Sequence, residues 1–431
     1  MSAEFTLCLV VVFVLSAFGA PVALSMIVGA IAYLAASGQD IALAGEQILQ
    51  GVYNSFILLA VPLFIVAANI MNAGSISERL LNFCVAIVGH LRGGLGHVNI
   101  VSSLIFSGMS GSAVADAAGV GKVIIGMMTK DGRYQPGYAA AITAASATIG
   151  PIIPPSIPMV IYALVSGASV GYLFIAGLVP GVLMGIVLMM MNRVQSTRLG
   201  AVREERVPLR DLPGITWKAF PTLMMPGILL YGIYGGVTTP TEAAAVAATY
   251  ALFLAAVVYR TISWSELCNV FRHSAISSAS VGLVISAALI FNYIVATENI
   301  PTQVAALLAS WDLSNFQFLL TVNVIFLVLG CLLDATTVIL VIVPLLVPAC
   351  RELGVDLVHF GVITVVNLMI GLITPPYGIL LFVINGTTKI PLASIIKQVI
   401  PFIGVLLVAL FIMTAFPDLV LFMPRVFGYQ G

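Results

Sequence analysis

Apolar runs of membrane-spanning length, cut by short polar breaks, recur along the whole chain. Residues 5–36 are apolar but too long for one crossing, because about 20 residues span the hydrocarbon of a bilayer. Gly19-Ala20-Pro21 divides them into two short spans, since proline cannot continue a helix without its N–H. Gln39, Asp40 and Glu46 mark a polar loop, and residues 51–73 form the next span. Ser77-Glu78-Arg79-Leu80-Leu81 then opens an amphipathic stretch to His90, the pattern of a helix lying along the membrane interface.

Residues 93–128 break this rhythm. Gly93-Gly94-Leu95-Gly96 leads into an apolar run, Ser107-Gly108-Met109-Ser110-Gly111-Ser112 interrupts it, and Ala113 to Met128 resumes it. Arms of about 14–16 residues are too short to span, so a re-entrant hairpin with a small polar tip is predicted. Residues 136–166 follow as a helix broken by Gly150-Pro151-Ile152-Ile153-Pro154-Pro155-Ser156, because proline removes a donor and clashes with the preceding turn. A span over 168–192 ends at Arg193.

From Arg193 to Lys218 the chain turns polar, with Arg198, Arg203, Glu204, Glu205, Arg206, Arg210 and Asp211. Six of the 17 Lys and Arg fall in this stretch, so the positive-inside rule puts the linker in the cytoplasm. The second half then repeats the first. Spans are predicted over 219–236, 240–259 and 277–299, and an interfacial stretch over 301–311. A second hairpin covers 315–349 with its tip at Gly330-Cys331-Leu332-Leu333-Asp334-Ala335-Thr336-Thr337. A second broken helix covers 357–387, cut by Gly371-Leu372-Ile373-Thr374-Pro375-Pro376-Tyr377, and a last span covers 392–416.

Landmarks recur at a nearly fixed distance. Gly371, Pro375 and Pro401 follow Gly150, Pro154 and Pro180 by 221 positions each; Gly330 follows Gly108 by 222 and Pro240 follows Pro21 by 219. The chain therefore divides into a repeat over 1–196, a linker over 197–216 and a second repeat over 217–431. Five spans plus one re-entrant hairpin is an odd number of crossings, so the halves are inverted relative to each other. With the linker inside, Lys130, Arg133, Arg260, Arg272 and Lys389 also fall inside, and both termini fall outside; Arg351 and Arg425 are the basic residues left clearly outside. Glu4 stands where a signal peptide would carry basic residues, so the first apolar stretch reads as a retained helix.

Composition narrows the class. The 431 residues are 61% hydrophobic and 8% charged, against about a quarter charged in soluble domains, and mean hydropathy is +1.14. The expected fold is an all-α polytopic membrane protein. Net charge is zero, which argues against a nucleic-acid partner. Five scattered Cys, without C-x-x-C, suggest neither a disulfide framework nor a zinc site. No P-loop, H-E-x-x-H or G-x-S-x-G accompanies them, so no catalytic residues and no enzyme are expected, and uphill transport would have to draw on an ion gradient.

Gly/Pro-interrupted apolar segments at matching positions of two halves point to a transporter's binding site. Half-helix N-termini there suit a carboxylate, and half-helix C-termini suit a hard monovalent cation. The hydroxyls of Ser107, Ser110, Ser112, Thr336, Thr337 and Thr374 would complete such shells. The same Ser/Gly-rich stretches also permit close helix packing in lipid, but four breaks at paired positions favour a site. Asp116 and Asp334 sit in or just after the tips, where an intramembrane carboxylate is costly enough to imply a role. Asp116 could instead pair with Lys122, and Asp334 could cap a helix. Glu242, after Thr239-Pro240-Thr241, reads as ordinary helix-start chemistry.

Together, Ser107 to Ala117, Gly150 to Ser156, Asp334 to Thr337 and Gly371 to Gly378 resemble the large membrane subunit of tripartite ATP-independent periplasmic (TRAP) transporters, essentially end to end. The resemblance implies an elevator-type, sodium-coupled importer with an architecture like that of the ion transporter superfamily, in the bacterial inner membrane with both termini periplasmic. Hairpins and broken helices, about 93–166 plus 315–387, would form the transport domain. Expected partners are a small four-helix membrane subunit and a soluble periplasmic binding protein that delivers a carboxylate; sodium would be the only metal, and no cofactor is expected. Sodium sites map onto Ser107, Gly108, Ser110 and Ser112 with Gly150, and onto Gly330, Asp334, Thr336 and Thr337 with Gly371 and Thr374. Substrate contacts are expected from Asp116, Pro154, Pro155, Ser156, Pro375, Pro376 and Tyr377, the cargo being sialic acid or otherwise a C4-dicarboxylate. Competing readings are a stand-alone sodium/dicarboxylate symporter, an intramembrane hydrolase using Asp116 or Asp334, and a passive channel.

Overall fold

Ser2 accepts a hydrogen bond from the Phe5 N–H at 3.1 Å and so starts the first helix, α1 (Ala3–Ala17). Gly19, at φ 87°, supplies the left-handed turn ahead of Pro21 that leads into α2 (Val22–Ala36). The computed structural model describes residues 2–53, 55–73, 76–199 and 204–431, so Arg203 of the linker lies outside the described residues. The stretch expected as a polar loop is largely helical: Asp40 accepts from the Ala42 N–H at 2.9 Å and opens α3 (Ala42–Tyr53), which carries Glu46. A 3₁₀ turn over Phe56–Leu59 precedes α4 (Ala60–Ala73), and α5 (Ile76–Val88) is the amphipathic helix, burying Leu80, Leu81 and Cys84.

The first hairpin is α6 (Gly94–Ser110), the short α7 (Ala113–Asp116), a π-helical turn over Ala117–Gly121 and α8 (Lys122–Thr129). The broken helix follows as α9 (Pro136–Ala147) and α10 (Ile157–Ser166). α11 (Val170–Arg198) runs on past Arg193, because the polar residues after it are still good helix formers. The second half contains α12 (Leu212–Tyr234), α13 (Pro240–Phe253), α14 (Trp264–Thr297) and α15 (Ile300–Ala309). α14 starts at Trp264 and not at 277, since Ser263 and Glu266 cap one another's backbone N–H groups there. The second hairpin is α16 (Asn315–Leu332) and α17 (Ala335–Glu352), and the second broken helix is α18 (Leu357–Gly371) and α19 (Ile379–Thr388). α20 (Leu392–Ala415) follows, and Pro417 opens a further helix that the hydrophobic pattern did not predict, α21 (Pro417–Val426).

Two packed groups result. α1, α2, α4, α12, α13 and α14 pack against one another, while the hairpins, the broken helices, α11 and α20 form the other group. Within the second group several buried polar side chains pair across helices, as an apolar environment favours. Asn99 donates to Thr143 at 2.6 Å and accepts from Ser146 at 2.9 Å, tying α6 to α9. Asn367 donates to the Asn323 carbonyl at 2.8 Å and Asn323 to Thr414 at 2.8 Å, tying α18, α16 and α20.

Polar contacts mark which ends meet. Glu204 of the linker pairs with Arg133 at the foot of the first hairpin at 2.9 Å. At the opposite face, Arg351 at the foot of the second hairpin reaches the Ser166 carbonyl at 3.5 Å, and Tyr429 donates to Asp356 at 2.8 Å. Ser2 and Tyr33 both donate to Glu298, at 2.6 and 2.9 Å, so the start of α1 and the ends of α2 and α14 share one face.

Candidate functional site

Both breaks arise where glycine and proline interrupt apolar helices. α9 stops at Ala147 and α10 restarts at Ile157; α18 stops at Gly371 and α19 restarts at Ile379. The first hairpin tip also breaks at glycine, since Gly111, at φ 61°, ends α6 before Ser112 opens α7; the second breaks at Leu333 and Asp334, where Asp334 caps α17. Each tip lies against the break of its own half. A Cβ added to Gly111 would lie against the Pro155 carbonyl, and one on Gly371 would lie 2.6 Å from the Gly330 carbonyl carbon. Only bare glycine backbone permits these approaches.

A cavity of about 370 Å³ lies between the two groups of helices. Its walls come from both tips (Ser110 to Ala115, and Asp334 to Thr336), both breaks (Pro151, Ile157 and Pro158, with Met369 and Leu372) and the facing helices α4 and α14 (Ile65, Ala68, Asn69, Ser277 and Val281). Its size sits at the low end of the about 300–1,000 Å³ common for small-molecule sites. Among the described residues, no Lys, Arg or His lines it. Three helix N-termini do, those of α7, α10 and α17, and each is capped by one oxygen. Ser112 accepts from Ala115 N–H at 3.3 Å, Ser156 from Met159 N–H at 3.2 Å and Asp334 from Thr336 N–H at 2.9 Å. The positive ends of these three helices face the cavity, and the Asp334 carboxylate that caps the third borders it as well.

The two acids differ. Asp116 is 4% exposed; Ser110 donates to its Oδ1, while its Oδ2 has no partner among the described residues and faces Gly150, where an added Cβ would lie 2.5 Å away. No ion pair joins it to Lys122, which is exposed. Asp334, in contrast, caps α17 and borders the cavity.

The other expected residues fall as follows. Ser107 donates to the Ser103 carbonyl, and Gly108 lies against Pro226 of α12. Thr336 borders the cavity, Thr337 is buried, and Thr374 donates to the Ile370 carbonyl of its own helix at 2.7 Å. Pro154, Pro155 and Ser156 are buried behind the cavity wall, and Ser156 donates to the Pro151 carbonyl. Pro375 is half-buried, Pro376 exposed, and Tyr377 is 59% exposed with its ring against Phe382 at 5.8 Å; these three lie outside the cavity lining. Asn69 and Ser277 line the cavity without having been expected. Their one signal was small polar residues within apolar helices, Asn69 with Asn72 in α4 and Ser277 beside Ser278 in α14, and Asn69 donates to Ser274 at 2.9 Å.

A multi-pass helical membrane protein whose paired hairpins and broken helices enclose a cavity has the architecture of a secondary transporter and not of an enzyme. Residues 9–419 match the tripartite ATP-independent periplasmic transporter, DctM component, and the chain belongs to that family. It is 40% identical over 413 residues to the sialic acid TRAP transporter large permease protein SiaM of Vibrio cholerae, covering 95% of this chain and 96% of that protein. It is also 40% identical over 373 residues to the C4-dicarboxylate TRAP transporter large permease protein DctM of Pseudomonas aeruginosa, covering 86% and 87%. The sialic acid TRAP transporter permease protein SiaT of Haemophilus influenzae is 35% identical over 424 residues, 98% of this chain and 69% of that protein. Among solved structures, the YdaH transporter of Alcanivorax borkumensis shares the fold at a TM-score of 0.63 and 14% identity, with 87% of each chain covered.

Proposed function

We propose that this chain is the large permease of a tripartite importer that moves a small carboxylate across the inner membrane by a sodium-driven elevator motion. The observation that carries the proposal is the cavity at which three helix N-termini converge with no basic side chain. A carboxylate fits such an electrostatic environment, and the remaining charge balance comes from cations bound beside it. One sodium is assigned to Ser110, Asp116 and Gly150, where a buried carboxylate oxygen has no protein partner. The second is assigned to the close approach of Gly330 and Gly371, with Asp334 and Thr374 nearby in sequence.

Two helix groups meeting across the cavity support an elevator, because the hairpin group can slide past the facing helices and carry the site with it. A small four-helix membrane subunit would brace those facing helices, and a soluble periplasmic protein would deliver the substrate. The linker is assigned to the cytoplasm and both termini to the periplasm, in agreement with the basic residues of the linker. Sialic acid is the first cargo to test, on the similarity to the Vibrio permease over almost the whole chain, and a C4-dicarboxylate the second.

Uptake of labelled sialic acid and of a C4-dicarboxylate into proteoliposomes holding both membrane subunits tests this directly. Uptake is expected only with the cognate binding protein and an inward sodium gradient. Equal uptake without the binding protein would establish the stand-alone symporter instead, and uptake without sodium would remove the coupling ion.

A further inference from the structure

A second cavity, about 570 Å³, lies away from the hairpin tips, where the end of α5, the start of α6 and the last turns of α11 meet. His90, Arg92, His97 and Arg193 line it, together with apolar residues of α11 that include Ile186 and Met190, and no carboxylate does. Neither arginine takes part in an ion pair among the described residues. Glu204 passes close by, its N–H donating to the Gly89 carbonyl at 3.2 Å, but its carboxylate is held by Arg133.

His97 is 4% exposed, and its Nε2 lies 2.7 Å from the Arg92 carbonyl. A carbonyl only accepts, so Nε2 carries the hydrogen and Nδ1 of the neutral ring is left as an acceptor; that Nδ1 is buried without a partner, as is Nδ1 of His90. The site therefore offers two unpaired guanidinium groups for a phosphate and a buried acceptor for a hydroxyl.

Ile186 and Met190, 50% and 65% exposed, belong to an outward-facing stripe that recurs at every fourth residue of α11. The cavity sits at the linker end of this stripe, so an occupant with acyl chains would lay them on the stripe while its head meets the arginines. We propose that this cavity binds an anionic phospholipid with a hydroxyl-bearing headgroup, of which phosphatidylglycerol is the probe. Such a lipid bridges the loop after α5 to the end of α11 on the face that carries the linker.

Native mass spectrometry of the full chain, purified with its small permease subunit, tests the proposal with added phosphatidylglycerol, phosphatidylcholine and inorganic phosphate. Phosphatidylglycerol is expected to be retained over phosphatidylcholine. Arg92→Gln with Arg193→Gln is expected to weaken that retention about thirtyfold, the combined effect of two basic residues facing an anionic headgroup. Arg92→Lys with Arg193→Lys should keep most of it, and Arg206→Gln with Arg210→Gln in the linker should leave it unchanged. Retention undiminished in the double Gln variant, or equal for the two lipids, would overturn the proposal. Displacement of the lipid by millimolar inorganic phosphate would overturn it too, by showing a simple anion site.

Discussion

Asp116 and Asp334 occupy the two hairpin tips but are used differently. Asp334 gives an oxygen to the Thr336 N–H and so starts α17, whereas Asp116 keeps one oxygen free against Gly150. A carboxylate inside a membrane helix costs about 2.5–3.5 kcal/mol on insertion scales, and the sodium proposed beside Asp116 would offset that cost. Asp116→Asn keeps the shape and removes the charge. Its expected effect is a rise of about tenfold or more in the sodium concentration that half-saturates uptake, equivalent to about 1.4 kcal/mol, with little change in melting temperature. Asp334→Ala is expected to cost about 1 kcal/mol of stability through the lost cap, read as a lower melting temperature. Were Asp116→Asn to leave the sodium titration unchanged, the assignment of the first sodium to Asp116 would fail.

The glycines at the tips make a separate claim about packing. Gly371→Ala places a Cβ 2.6 Å from the Gly330 backbone, which has no flexible end to move aside, so a loss of about 1–3 kcal/mol is expected. Gly126→Ala, in α8 with nothing within 4 Å of the new Cβ, should stabilise by about 0.5–1 kcal/mol. Thermal unfolding of the two variants in the same detergent checks both signs.

At the scale of elements, proline and glycine punctuation was legible in the sequence, because these residues act on the backbone whatever surrounds them. Gly19 to Pro21, Gly111 and both Pro-Pro breaks end or start helices where their chemistry requires it. Helix ends carrying polar residues were not legible from hydropathy. Glu46 lies inside α3, and α14 starts at Trp264 with polar residues such as Glu266, Arg272 and His273 in its first turns. Charged side chains at a membrane helix end can reach water, so they do not stop the helix. The small polar tips identified one wall of the cavity, but Asn69 and Ser277 lie far from them in sequence and only folding brings them to it.

The same element view predicts relative motion. Asn69→Cys joined to Ala115→Cys by a thiol crosslinker links α4 to the hairpin tip across the cavity and should arrest uptake until the link is cleaved. Ser2→Cys joined to Glu298→Cys stays within the facing group and away from the cavity, where the native side chains already touch at 2.6 Å, and should leave uptake intact. Arrest by both links, or by neither, would contradict sliding of one group past the other.

For the whole molecule, both hairpin tips and both helix breaks line one cavity. Under the proposed elevator motion, a substrate held there would travel with the hairpin group. The most direct test is whether substrate occupies this cavity. Val114 lines it and is 42% exposed, and Cys268 is the one exposed native cysteine among the five. With Cys268→Ser as background, Val114→Cys should react readily with a small maleimide in the absence of ligands, and sodium with substrate should slow the reaction in proportion to occupancy. Labelling that proceeds at the same rate with saturating sodium and substrate, in a variant that still transports, would contradict the account.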